Sequence, residues 1–423
     1  VEINKNQAVM AVAILLLTLV VGATQLANDG LFLRLLLGLS LGFALAKGAI
    51  GFAGSINRAY RRGSTQLLQT LMFMFVITAI INAGLLLNAD SQHYDLWINP
   101  INAGLLIGGI MFGAGMSLSS CCATGMMVEF VSDVPRAAIT LVFFGAGVFF
   151  GFPLQSSQSW ITDSWFSSAS YQGKGVFLPD LFAGTPLNGY FISILVTIVL
   201  ALTVVIIAKK YENYRRRKGS YLGVAGEIER QQLQSQSVNR DADTQFTLFS
   251  RKTYQNWLAS LWQMRTTALV IAVIFGIMMA STGSGWGAST PFGIWFAKGL
   301  MLFGVEMNTI TEISQRPEAM FSTPFFEHGV SVQNLAIFLG TLIAVLFMGK
   351  FKFSFAINHS TKQLALFALG GLLMGFGTRF ANGCNVGALF TPIANFSLSG
   401  WVYLLVLVIG AIIGNRFQQA VMK

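Results

Sequence analysis

Two cysteines stand in matching glycine-rich surroundings, Cys122 within GGIMFGAGMSLSSCCATGMMVEF (108–130) and Cys384 within GGLLMGFGTRFANGCNVGALFTP (370–392). Aligned with one constant offset, Gly108, Gly109, Gly113, Gly115, Cys122 and Gly125 coincide with Gly370, Gly371, Gly375, Gly377, Cys384 and Gly387. Glycines coincide readily in glycine-rich helices. A matched cysteine is more telling in a chain with only three. A thiol is a weak donor that can touch an anion without gripping it. Its thiolate is a nucleophile where cations or a helix start lower its pKa. Two chemistries are therefore open, loose ligation along a path and a persulfide on Cys122 or Cys384. The ordinary alternative is a small apolar packing residue; the pairing and the polar neighbours favour chemistry. Cys121 has no counterpart, since Gly383 stands opposite it.

Each cysteine follows a polar interruption, Ser117 to Cys122 and Thr378 to Asn385. Ser, Asn and Gly in succession disfavour a continuous helix. Unwound backbone at membrane depth is tolerated only where protein buries it or it lines a cavity. A short apolar helix restarts after each break, and its first amides carry partial positive charge. Arg379 lies within the second break, where it would attract an anion. Asn382 and Asn385 either bond a substrate or cap the broken helix; Ser119 and Ser120 are the polar groups of the first break. Lys47 and Lys298 lie in apolar stretches, within Ala46-Lys47-Gly48 and Ala297-Lys298-Gly299. Intramembrane charge costs at least about 2.5–3.5 kcal/mol, so such residues pair, line a path or snorkel to the headgroups.

The elements that must hold these residues are apolar helices. Of 423 residues, 54% are hydrophobic and 10% charged, against about 25% charged in a soluble domain. Spans of roughly 20 apolar residues are expected at 8–26, 31–51, 66–87, 103–130, 135–152, 188–208, 266–280, 333–348, 363–392 and 397–415, with 292–303 a short or re-entrant helix. The fold class is an all-α polytopic membrane protein of about ten spans. The net charge of +10 resides in loops, which argues for cytoplasmic basic loops and against nucleic-acid binding. His93, His328 and His359 are scattered and no cysteine pair has zinc spacing, so no metal is expected; no cofactor is implied and no Walker A motif is present.

The loops around Arg58, Arg61 and Arg62, after Lys209, and around Lys350 and Lys362 are expected in the cytoplasm together with both termini. The two cysteine segments then run in opposite directions, as inverted repeats with a site between them. The chain divides into a first membrane half (1–208), a cytoplasmic linker (209–265) and a second half (266–423). The linker is expected to be flexible, with an interfacial helix over 254–264 that puts Trp257, Leu258, Leu261 and Trp262 on one face.

FGAGMSLSSCCATG and GFGTRFANGCNVGALFTPIANFSLSGW resemble the two glycine–cysteine motifs of the YeeE/YedE membrane proteins, a sulfur-transport family. The resemblance covers roughly 31–152 and 285–415. It implies uptake of a small sulfur-containing anion across the bacterial inner membrane, thiosulfate in the best-understood members and selenium-related in some others. It also makes a cytoplasmic sulfur-carrier protein the natural partner. Cys122 and Cys384 match the family cysteines of the two motifs. A further family cysteine, in an Ile-Cys-Phe stretch, is replaced here by Gly51 between Ile50 and Phe52.

Overall fold

The computed structural model describes residues 4–87, 89–185, 188–228, 230, 254–352 and 358–422. Among these, ten helical stretches are long and apolar enough to cross a membrane. The helices are α1 (Lys5–Gln25), α2 (Asp29–Gly48), α3 (Phe52–Arg62), α4 (Gln66–Leu86), α5 (Ala103–Ser119), α6 (Ala123–Glu129), α7 (Val134–Ser157) and α8 (Gly189–Arg217) in the first half. The second half has α9 (Met264–Thr282), α10 (Thr290–Leu302), α11 (Met307–Ser314), α12 (Gly329–Phe347), α13 (Thr361–Phe380) and α14 (Leu398–Met422). The chain is an all-α polytopic membrane protein. The expected span positions stand to within a few residues, except that α8 runs on to Arg217 and α14 to Met422.

The core is a four-helix crossing of α5, α7, α13 and α14. Glycine makes it possible. A Cβ on Gly108 would lie 2.7 Å from the Gly377 carbonyl, and one on Gly377 would lie 2.7 Å from the Gly108 carbonyl. A Cβ on Gly115 would meet the Gly370 carbonyl at 2.5 Å, and one on Gly370 the Gly115 carbonyl at 2.7 Å. Lipid tails are as apolar as leucine, so bilayer helices associate through such close backbone approach. As numbers rise along α5 they fall along α13, so the two helices are antiparallel. Exchanging each glycine for its repeat counterpart maps Gly108–Gly377 onto Gly370–Gly115, which is the other contact.

The same exchange relates the outer pairs. Gly410 and Gly414 of α14 approach the carbonyls of Ile110 and Ala114 on α5; Gly147 and Gly151 of α7 approach Leu372 and Arg379 on α13. These pairs run parallel. Likewise α2 packs along α12, as α9 packs along α4. The helix equivalent to α2 is thus α9, and the Lys47 and Lys298 tripeptides fall on helices that are not equivalent, α2 and α10.

One consequence corrects the picture of a single broken span. Because α7 is parallel to α13, it is antiparallel to α5. Residues 120–133 therefore leave and rejoin the bundle at one end, and residues 381–397 do so at the other. The short helices after the breaks are return segments rather than continuations.

The expected linker begins as structure. Leu222 N–H donates to the Arg62 carbonyl (2.9 Å) and Arg215 Nη1 to that of Tyr60 (2.7 Å). Glu227 is buried and pairs with Arg58 (3.4 Å), so residues 209–228 are docked on α3. The QQLQSQS stretch lies outside the described residues. Over 254–264 the chain forms one π-helical turn, Tyr254–Ala259, and not a helix to Met264. Its carbonyls are diverted: Leu258 O and Ser260 O accept from Lys47 Nζ, and Trp262 N–H donates to Lys47 O.

At Gly377 a Cβ meets only backbone and Phe112, whereas the exposed helical Gly84 has nothing within 4 Å of its Cβ. Gly377→Val is expected to cost at least about 1–3 kcal/mol by overpacking. Gly84→Ala should be neutral or stabilising by up to about 1 kcal/mol. Thermal unfolding in detergent checks both; equal midpoints would contradict the crossing.

Candidate functional site

Each break is made in the same way. Ser120 (φ 60°) ends α5 and Asn382 (φ 55°) follows α13, both in the left-handed region. They are repeat counterparts, since 382 − 120 = 262 = 384 − 122. Short polar side chains tolerate that conformation better than apolar ones, which is why the polar residues of the motifs fall there. Two residues later comes the cysteine, in extended conformation at the cap of the return helix. Cys122 Sγ accepts from Gly125 N–H at 3.4 Å and lies 3.4 Å from Thr124 Oγ1. The Cys122 carbonyl accepts from Met126 N–H (2.7 Å), and that of Cys384 from Ala388 N–H (2.6 Å).

The second return segment is π-helical over Asn385–Phe390 and continues as Thr391–Ala394. It dips far enough to bring Asn385 Nδ2 to 3.6 Å from Met116 Sδ, one turn before the end of α5. Cys122, Cys384 and Tyr403 belong to one buried core. Cys122 and Cys384 are each 1% exposed. The centre is occluded, not open.

Two polar atoms there lack partners. The Tyr403 hydroxyl and Asn385 Oδ1 are buried with no hydrogen bond. A buried orphan costs about 1–3 kcal/mol, so each of these atoms is left with an unmet hydrogen bond. Tyr403 was not singled out from sequence; its signal is a lone phenol in the aliphatic run WVYLLVLVIG. Trp97 was also missed. It has φ 55°, an outlier for a bulky residue. Its ring fills the space where a Gly387 Cβ would sit, 2.3 Å from the nearest ring carbon, and its buried indole N–H has no partner. Asn99 Nδ2 donates to Gly387 O (3.3 Å) beside it. Trp97 thus covers the second return helix.

Arg379 is 4% exposed. Its Nη2 donates to Ser289 Oγ (2.8 Å), its Nε to Thr378 Oγ1 (3.1 Å) and its Nη1 towards Thr290 Oγ1 (3.3 Å) and Gln155 Oε1 (3.4 Å). All four partners are neutral. Among the described residues no carboxylate pairs with it. Its charge acts on Cys384. With seven residues α6 carries little macrodipole, so positive charge at the breaks comes mainly from side chains, Arg379 at the second and Arg61 at the first.

Cys121 is buried, and its Cβ would be 3.5 Å from a Cβ on Gly125. Opposite it, a Cβ on Gly383 would lie 2.5 Å from the Gly387 carbonyl carbon. Only the first break has room for the extra thiol. Ser120 and Asn382 sit at opposite ends of the centre. Lys47 and Lys298 are engaged elsewhere: Lys47 by the π-helical turn, Lys298 by the Thr323 carbonyl at 2.7 Å.

A family model described as sulphur transport matches residues 47–413. The chain is 23% identical to the thiosulfate transporter TsuA of Spirochaeta thermophila over 377 residues, covering 89% of this chain and 95% of that protein. It is 23% identical to TsuA of Escherichia coli over 381 residues, 89% and 91% of the two chains. The probable transporter YedE of Salmonella typhimurium is 28% identical over 168 residues, 38% of this chain. That match spans about two fifths of the YedE protein's length, 39%. With the family model covering both cysteine breaks and the helices that hold them, the chain belongs to the sulphur transport family.

Proposed function

We propose that this protein carries a small sulfur-containing anion, thiosulfate first among them, through the centre between its two halves. The observation that carries the reading is that Cys122 and Cys384 stand at repeated breaks of antiparallel helices within one buried core, which also holds the unpartnered Asn385 and Tyr403 groups. The full-length similarity to TsuA proteins supports thiosulfate as the substrate. The halves are inverted in the bilayer, with the basic loops and both termini cytoplasmic, and the membrane is the bacterial inner membrane.

The chemistry follows from the groups present. Arg379, unbalanced by a carboxylate, draws the anion to the second break. The terminal sulfur accepts from the Cys384 thiol and then from that of Cys122. Thiol donors are weak, so each stop is shallow, and conduction needs sites that release as readily as they bind. The Tyr403 hydroxyl has no partner and stands by as a donor for the transit, and Asn385 joins it by turning its Nδ2 from Met116 Sδ towards the anion. Trp97 seals one side of the centre and must shift for an anion to pass. The thiols act as donors and are not consumed, which is the behaviour of a transporter and not of a sulfurtransferase.

In proteoliposomes, radiolabelled thiosulfate uptake is expected to fall at least about tenfold in the Cys122→Ala, Cys384→Ala double variant, two lost hydrogen bonds of about 1 kcal/mol each. Undiminished uptake would sink the thiol path. Gly51 offers a second check. It has φ −139° and nothing within 4 Å of its Cβ, so Gly51→Cys should fold normally and place a third thiol at the start of α3. Its half-saturating thiosulfate concentration is expected to drop severalfold; no change in a stable variant would remove Gly51 from the path.

A further inference from the structure

Two arginines stand at opposite ends of the cysteine centre, and each is bonded to a glutamine of a corresponding pair. At one end, Arg61 closes α3. Its Nε donates to Asn415 Oδ1 (2.7 Å), its Nη2 to the Ser117 carbonyl (3.1 Å) and to Gln418 Oε1, and its Nη1 towards Ser120 Oγ (3.5 Å). At the other end, Arg316 follows α11. Its Nη2 donates to Gln155 Oε1 (3.0 Å), and Gln155 Nε2 donates to Asn382 Oδ1 (2.7 Å).

The two sets correspond. Ser120 and Asn382 are the left-handed residues of the two breaks. Gln155 and Gln418 are separated by 418 − 155 = 263. That is the separation of Gly147 from Gly410 and of Gly151 from Gly414, the glycines that pack α7 and α14. The arginines themselves come from unrelated segments, so a cation has been brought to the same polar pair twice. Neither meets a carboxylate among the described residues. Arg316 Nε is buried and bonded to nothing, and its guanidinium lies over the Phe152 ring at 5.3 Å, beside Arg379 at 5.5 Å.

A half-buried guanidinium held only by neutral acceptors keeps its charge for a guest. Arg316, with its Nε unbonded, can turn its planar fork to two oxygens of a tetrahedral oxoanion, and Arg61, whose Nε and Nη2 are engaged, offers Nη1. Each left-handed residue is two residues from its cysteine, at most about 7 Å of chain. An anion held at Arg61 would therefore lie beside the first break, and one held at Arg316 would face the second break across Gln155. We propose that Arg61 with Gln418, and Arg316 with Gln155, form two oxoanion subsites at the two ends of the centre. They take the sulfonate-like end of the substrate on arrival and on release. The proposal rests on the reading of the centre as an anion path and adds the device that orients the anion.

The test uses the full chain in proteoliposomes of defined orientation, with radiolabelled thiosulfate as solute and sulfate as competitor. Arg316→Gln is expected to raise the half-saturating concentration at least about tenfold from the side that Arg316 faces, and to relieve sulfate inhibition there; a lost charge-assisted hydrogen bond of about 1.5–3 kcal/mol sets that scale. Arg61→Gln is expected to produce its rise from the opposite side. Half-saturation within twofold of wild type in both variants would overturn the proposal. If a glutamine variant loses transport from both sides, Arg61→Lys and Arg316→Lys decide, because the charge is kept and only the fork is lost: the one-sided rise must appear in them. If the wild-type protein carries no thiosulfate, the transport reading fails. Calorimetry of sulfate with purified protein then decides the subsites, which require binding that the Arg61→Gln, Arg316→Gln double variant loses.

Discussion

A helix interrupted inside a bilayer leaves main-chain groups that lipid cannot satisfy. The arrangement of this molecule follows from that constraint. Each break is closed by one left-handed residue, Ser120 or Asn382, then an extended cysteine, then a short return helix whose first carbonyl bonds are complete. The breaks must also be kept from lipid, and the α5–α13 crossing does this. Its four reciprocal glycines let two backbones touch, which puts the return segments at opposite ends of one packed core. Larger residues there would part the helices and expose both breaks.

The two halves are alike in backbone and unlike in chemistry. Cys121 fits where Gly383 must remain a glycine, because the π-helical turn brings the Gly387 backbone against it. Arg379 occupies the place of Ser117. The first half has a bare Gly51 at the start of α3. The second has Ser289, which holds Arg379, before α10. Arg379 and Arg316 lie together over the Phe152 ring at one end, and Arg61 closes the other.

Much of this was legible in the sequence, for identifiable reasons. Spans follow from apolar run length, and the repeat from a cysteine aligned within glycines. Composition alone marks the stretches Ser117 to Cys122 and Thr378 to Asn385 as breaks, and the structure places the left-handed residues Ser120 and Asn382 within them. What stayed hidden depends on tertiary contacts. The return of the chain after each break needs the relative directions of α5, α7 and α13. Tyr403 and Trp97 look like ordinary span and loop aromatics until their unpartnered polar atoms are seen. Lys47 was a candidate for the path because it is charged in an apolar run; the structure employs it to hold the backbone after α2. The Lys47 and Lys298 tripeptides match in sequence and not in fold, since a three-residue echo is too short to carry a register.

The central claim is that the two cysteine breaks enclose the route of the anion, and a structure determined with thiosulfate present tests it most directly. The account predicts density for one anion between Cys122 and Cys384, its terminal sulfur in contact with a thiol and its oxygens turned towards an arginine-bearing end. Thiosulfate bound elsewhere, with the space between the two thiols empty, would contradict it.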